Sequence, residues 1–84
     1  MNSFRRQVDI AIASDPLKGN LVSKEFAVTG SGRNIAFLVT SVVWYALRVY
    51  IEDRDNNHVV QHARTEHLTM EGAREQMEKF KREM

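Results

Sequence analysis

The spacing of apolar and polar positions changes twice along the chain. Near the N-terminus Val8, Ile10 and Ile12 alternate with Asp9 and Ala11, which is the period of a half-buried strand. A helix through Phe4, Val8, Ala11 and Ile12 accounts for nearly as much, but it puts Ile10 on the wrong face, so a strand is expected. Asp15-Pro16-Leu17-Lys18-Gly19-Asn20 then reads as a turn, because proline fixes φ while glycine and asparagine tolerate positive φ. Residues 25–29 and 34–40 are strand-like runs around Gly30-Ser31-Gly32, the pattern of a hairpin.

Residues 42–52 are rich in β-branched and aromatic side chains, residues 53–57 form a polar turn, and residues 58–66 read as the returning strand. Thr40-Ser41 is a poor turn, so residues 33–51 stay open as two strands, one bent strand or a buried helix. Their β-branched content argues against the helix, where such side chains lose rotamer freedom. At the C-terminus the period lengthens. Thr69 is a capping residue, and Met70, Ala73, Met77, Phe80 and Met84 recur at spacings of three and four, one apolar stripe on a helix. Glu75–Lys79, Glu78–Arg82 and Lys79–Glu83 sit four apart on its outer side. The expected fold is α+β: one domain over residues 1–84, a small antiparallel sheet of three to five strands, and a C-terminal helix packed on one face.

Composition narrows the chemistry. A chain of 84 residues is one domain with a small core and no room for a deep pocket as well. At 43% hydrophobic and 27% charged it is a folding sequence, not a disordered one. The absence of cysteine excludes thiol nucleophiles, thiolate zinc sites and iron–sulfur clusters, and favours a reducing, cytoplasmic setting over secretion. Net charge is +1, with +3 on residues 1–50 and −2 on residues 51–84, so phosphate-driven binding would need a local patch. The apolar stretch after Arg5 and Arg6 is broken by Asp9 and is no signal peptide. The longest uncharged run, residues 34–47, is too short to span a bilayer.

No motif for catalysis, cofactor or metal stands out. Of His58, His62 and His67, the first two would share a face and could ligate zinc on a helix, but on the expected strand they lie about 13 Å apart, too far for one ion. Asp53, Asp55 and Asn57 imitate the start of a calcium loop, but His58 replaces its glycine and Arg64 its final glutamate. Gly30-Ser31-Gly32-Arg33 lacks the following helix that a phosphate loop needs. The serines, histidines and aspartates have no ordering signature, so no enzyme, cofactor or metal is expected.

The informative constellation lies on the hairpin of residues 44–66. If its loop holds an odd number of residues, Ile51 faces Val59, Val49 faces Gln61, Leu47 faces Ala63 and Tyr45 faces Thr65. That face is uncharged. The other carries Trp44, Arg48, Tyr50, His58, Val60, His62 and Arg64. An even loop would turn Arg64 toward the core, at a high desolvation cost. Trp44, Arg48, Tyr50, His62 and Arg64 are therefore the expected partner-binding residues, since tryptophan, tyrosine and arginine dominate binding hot spots. The competing account makes this face a second core layer under the N-terminal segment. The expected function is that of a non-enzymatic protein-binding module, an inhibitor or adaptor of a larger macromolecule, of the kind phages and mobile elements carry against host machinery. The alternative is nucleic-acid binding through the same face, with Arg5, Arg6 and Arg33 on phosphates. A third expectation is a homodimer through the stripe of the C-terminal helix.

Overall fold

The structure is a computed structural model that describes residues 3–55 and 58–83. Helix α1 (Ser3–Ala13) is followed by strands β1 (Asn20–Val28), β2 (Asn34–Ser41), β3 (Tyr45–Asp53) and β4 (His58–His67), then helix α2 (Met70–Glu83). The strands form one antiparallel meander in the order β1-β2-β3-β4. One helix lies on each face. This is the expected α+β domain with α2 on one face, and a second helix covers the other.

The N-terminal segment is a helix, which corrects the expected strand. Phe4, Val8 and Ile12 are its buried positions, with Ala11 beside them, and Ile10 is left 59% exposed. The alternation of Val8, Ile10 and Ile12 therefore mattered less than the stripe of period 3.6. On this small sheet a helix covers Ala36, Leu38 and Tyr50 with one row of side chains. Arg5 lies over the Phe26 ring at 4.3 Å, and Phe4 meets that ring edge-on at 6.2 Å.

The opposite layer joins Ile35, Phe37, Val39, Leu47 and Val49 to Ala73 and Met77 of α2. β2 and β3 are buried on both sides, which is why residues 34–47 read as an uncharged run and not as an alternation. Thr69 caps α2 as expected, its hydroxyl accepting from the Gly72 amide at 3.0 Å. The ion pairs of α2 differ from those expected. Lys81 binds Glu25 of β1 at 2.9 Å and Glu78 at 3.1 Å, so its charge ties the helix to the edge strand. Glu25 first, and then Glu78, holds the Lys81 ammonium above its ordinary range. Met77 and Ala73 are buried against the chain's own sheet. Met84, the last position of that stripe, lies outside the described residues.

The glycine-rich connection is a turn: Gly32 has a φ of +85° and the Thr29 amide donates to the Arg33 carbonyl at 2.8 Å. Gly19 has a φ of +64°, and a β-carbon there would sit 2.3 Å from the Ser41 carbonyl oxygen, so only glycine lets the loop after α1 pass the end of β2. Asp53 accepts from the Asp55 amide at 3.1 Å, which starts the expected β3–β4 turn. Asn56 and Asn57, its remainder and the third position of the calcium pattern, lie outside the described residues.

The register of β3 and β4 departs from the expected one. Tyr45 pairs with His67, Leu47 with Thr65 and Val49 with Ala63, two residues beyond the expected partners. A bulge at His62 then changes the phase, so that Ile51 pairs with Val60. A second bulge, at Val22, interrupts β1. Both bulges fall on edge strands, where such breaks discourage pairing with another chain.

Candidate functional site

The expected binding face is divided by the structure. Arg48 is 2% exposed and Tyr50 is buried beneath α1 in the cluster of Phe4, Val8 and Leu38. For these two residues the second-core-layer account describes the structure, and their place on a contact surface is corrected. His62 sits at the bulge, exposed, with its ring 6.4 Å from Phe80 of α2 on the opposite face. Trp44 and Arg64 remain together at the surface, lining one recess.

Arg48 has an internal task. Its guanidinium donates to the Thr40 hydroxyl at 3.3 Å, to the Leu17 carbonyl at 3.4 Å and to the Asp15 carboxylate. Asp15 in turn accepts from the Leu17 amide at 2.9 Å. A charge in the middle of β3 thus pins the loop that follows α1 across the end of the sheet. The Leu17 amide first, and then Arg48, holds the Asp15 carboxyl below the usual carboxylate range. A depressed carboxyl stabilises the fold at pH values above its unfolded pKa, and that stability is lost as pH falls through the folded value. Melting temperature is therefore expected to fall as pH drops below about 4, with Asp15→Asn showing a shallower fall than the parent. Parallel pH profiles for the two proteins would remove Asp15 from this account.

What the loop pins is one wall of an apolar tip. β2 and β3 are joined by Val42-Val43-Trp44, a turn closed by the Val42 amide donating to the Trp44 carbonyl at 3.2 Å. Val43 is 82% and Trp44 46% exposed. Leu17 from the loop and Leu68 from the β4–α2 connection stand beside them, with Leu68 89% exposed. Leu21 and Val22 open β1 at the same end, where Leu21 pairs with Thr40. Among the described residues, seven of the nine exposed large apolar side chains lie at this end of the sheet, so the exposure is concentrated there.

Two recesses flank Trp44. One is lined by Leu17, Thr40, Val42, Trp44, Ala46, Arg64 and Glu66, the other by Trp44, Glu66, His67 and Leu68. The first holds about 210 Å³, below the ~300 Å³ at which pockets for whole small molecules begin, and suited to one protruding side chain. Arg64 and Glu66 form the polar rim and pair at 2.8 Å.

Of the residues expected at a contact surface, Trp44 and Arg64 lie at this end, and Leu17, Val42, Val43 and Leu68 were not among those expected. Val-Val-Trp carries no turn signal, so it was read into a strand. The signal that was present is length. One strand over residues 33–51 would be about twice as long as an ordinary strand, so the chain is expected to reverse midway.

The residues of the alternative reading are dispersed. Arg5 covers Phe26, Arg33 donates to the Glu52 carbonyl at 3.0 and 2.6 Å, and Arg6 is exposed on α1. His67 bonds the Thr65 hydroxyl at 2.7 Å, and among the described residues no three histidine or carboxylate side chains are grouped to hold a metal ion. No helix among the described residues is long and apolar enough to cross a membrane. No protein-family model, curated protein or solved structure matches the chain.

Proposed function

We propose that this is a non-enzymatic protein-binding module, an inhibitor or adaptor, which docks on its partner through the apolar tip. The observation that supports it is the Val42-Val43-Trp44 turn. Turns are built from glycine, proline, asparagine, aspartate and serine because those residues suit the backbone and the solvent. This turn has none of them, and it presents three large apolar side chains to water. A local rule broken at the surface without a gain to the fold marks a functional site more often than a defect. An apolar centre carrying tryptophan, with arginine and glutamate on its rim, has the composition of a protein interface.

The test is affinity capture of the tagged chain from its source cells, with and without nuclease, beside a Val43→Ser/Trp44→Ser variant. A protein captured in stoichiometric amount, resistant to nuclease and reduced roughly 30-fold or more by the variant, is expected from the loss of a tryptophan anchor. Both side chains are exposed, so the variant should melt within a few degrees of the parent. Equal capture by both proteins removes the tip from the reading. Capture that collapses on nuclease treatment turns it to the nucleic-acid alternative.

A further inference from the structure

We infer that Asp15 and Arg48 are positioning residues of the docking tip: their ion pair is a latch that holds Leu17 as the outer wall of the recess beside Trp44. This rests on the reading of the tip as a docking surface and says what gives that surface its shape.

The recess lies where α1 stops short of the end of the sheet. Ala36, Leu38 and Tyr50 lie under the helix. Next along the same face comes Thr40, paired with Ala46. Both are small, and both lie outside the cluster that α1 covers. They are nevertheless 2% and 5% exposed. These two short side chains form the floor of the recess, and Leu17 and Trp44 wall the hollow above them.

Little besides Arg48 holds the Leu17 wall. Leu17 is 73% exposed, so burial of its own side chain contributes little. The amides of Ser14, Asp15, Leu17 and Lys18 bond within α1 and the loop itself. Gly19 fixes only the far end, where the loop passes Ser41. Among the described residues, the polar contacts from this loop to the sheet are those of Arg48 with the Asp15 carboxylate and the Leu17 carbonyl. The other charges at this end do not replace it. Arg64 acts on Asp15 only through its charge and pairs with Glu66. Lys18 is exposed, and His67 bonds the Thr65 hydroxyl.

Stability alone does not account for the pair. Well-packed apolar side chains in place of a buried ion pair are often as stable or more so. A directed pair fixes one position of the loop, which an apolar contact at an exposed leucine would not.

Trp44 is the single tryptophan of the chain, so its fluorescence reads the recess directly. Emission and acrylamide quenching are measured on the full chain for Leu17→Ala, Asp15→Asn and the double variant. Ile35→Val, a core change at the far end of β2, controls for lost stability. Each single tip variant is expected to shift Trp44 emission to the red and to raise its quenching. The double variant should go no further than Leu17→Ala alone, because Asp15 acts through Leu17. Ile35→Val should read as the parent. Arg48→Met should behave as Asp15→Asn does, and it carries the test if Asp15→Asn does not fold. A partner captured by the parent is expected to bind Leu17→Ala and Asp15→Asn about tenfold more weakly. Unchanged Trp44 quenching in Asp15→Asn and Arg48→Met overturns the latch and leaves the docking reading standing. So does a double variant whose effects add, or an Ile35→Val change as large as theirs. Latch variants that alter Trp44 yet capture the partner as the parent does overturn the part of the latch in docking. The docking reading itself still stands or falls with Val43→Ser/Trp44→Ser.

Discussion

Asp15→Ala is expected to destabilise the protein by about 3 kcal/mol, and Arg48→Met by clearly less, although the two substitutions break the same ion pair. The difference lies in what each leaves behind. Removing the carboxylate strands a guanidinium that is 2% exposed and keeps, among the described residues, the Thr40 hydroxyl and the Leu17 carbonyl as partners. Orphaning one member of a buried pair costs about 3–5 kcal/mol. The low end applies because the loop after α1 can swing away and let water reach Arg48. Replacing the arginine with methionine keeps most of the packed stem and leaves a carboxylate that is already 26% exposed and can turn to solvent. Thermal unfolding reads both, and ~3 kcal/mol corresponds to a drop of roughly 10–25 °C in a domain of this size. If Arg48→Met costs as much as Asp15→Ala, the pair does not act as described.

Phe37→Ala is expected to be more damaging still, at about 3–5 kcal/mol, enough to abolish cooperative unfolding in a domain with little stability to spare. Phe37 is at the centre of β2, 1% exposed, between Glu25 and Val49 in the ladder and under α2. The Lys81 ammonium, held by Glu25, lies 5.8 Å from its ring. Its removal opens a cavity that two neighbouring strands and a helix cannot close together. Ile10→Ala is the companion measurement. Ile10 was a core residue on the strand expectation and is exposed on the helix, so the substitution should change stability by no more than about 0.5 kcal/mol. A large loss at Ile10 would contradict the helical N-terminus.

The same two residues show what could be read from the chain. Phe37 lies in an uncharged run flanked by turn chemistry on one side, and that alone marks it as buried. Ile10 shares its segment with two competing periods, and five residues are too few to separate period 2 from period 3.6 when Ala11 and Asp9 fit either. The choice was settled by what the segment packs on. One helix can cover the narrow stripe of Ala36, Leu38 and Tyr50, whereas a fifth strand would have to join an edge. The register of β3 and β4 was legible in parity where Leu47 and Val49 face Thr65 and Ala63. It failed at His62, because a bulge is an unpaired residue with no composition of its own.

The candidate site divides along the same line. Hydrophobic periodicity, turn chemistry and charge spacing determined by themselves the helix α2 with its Thr69 cap, the two hairpins and the α+β class. These are local properties, decided by neighbours a few residues away. Only the tertiary structure decided that Arg48 and Tyr50 face inward, since an arginine can be buried once a carboxylate 33 residues distant is brought to it. Only the tertiary structure, too, gathered Leu17, Val43, Trp44 and Leu68 at one end. The physical reason is that a surface patch is a set of chain crossings at one place. Its members share no period, and nothing in their own segments records how near they will come.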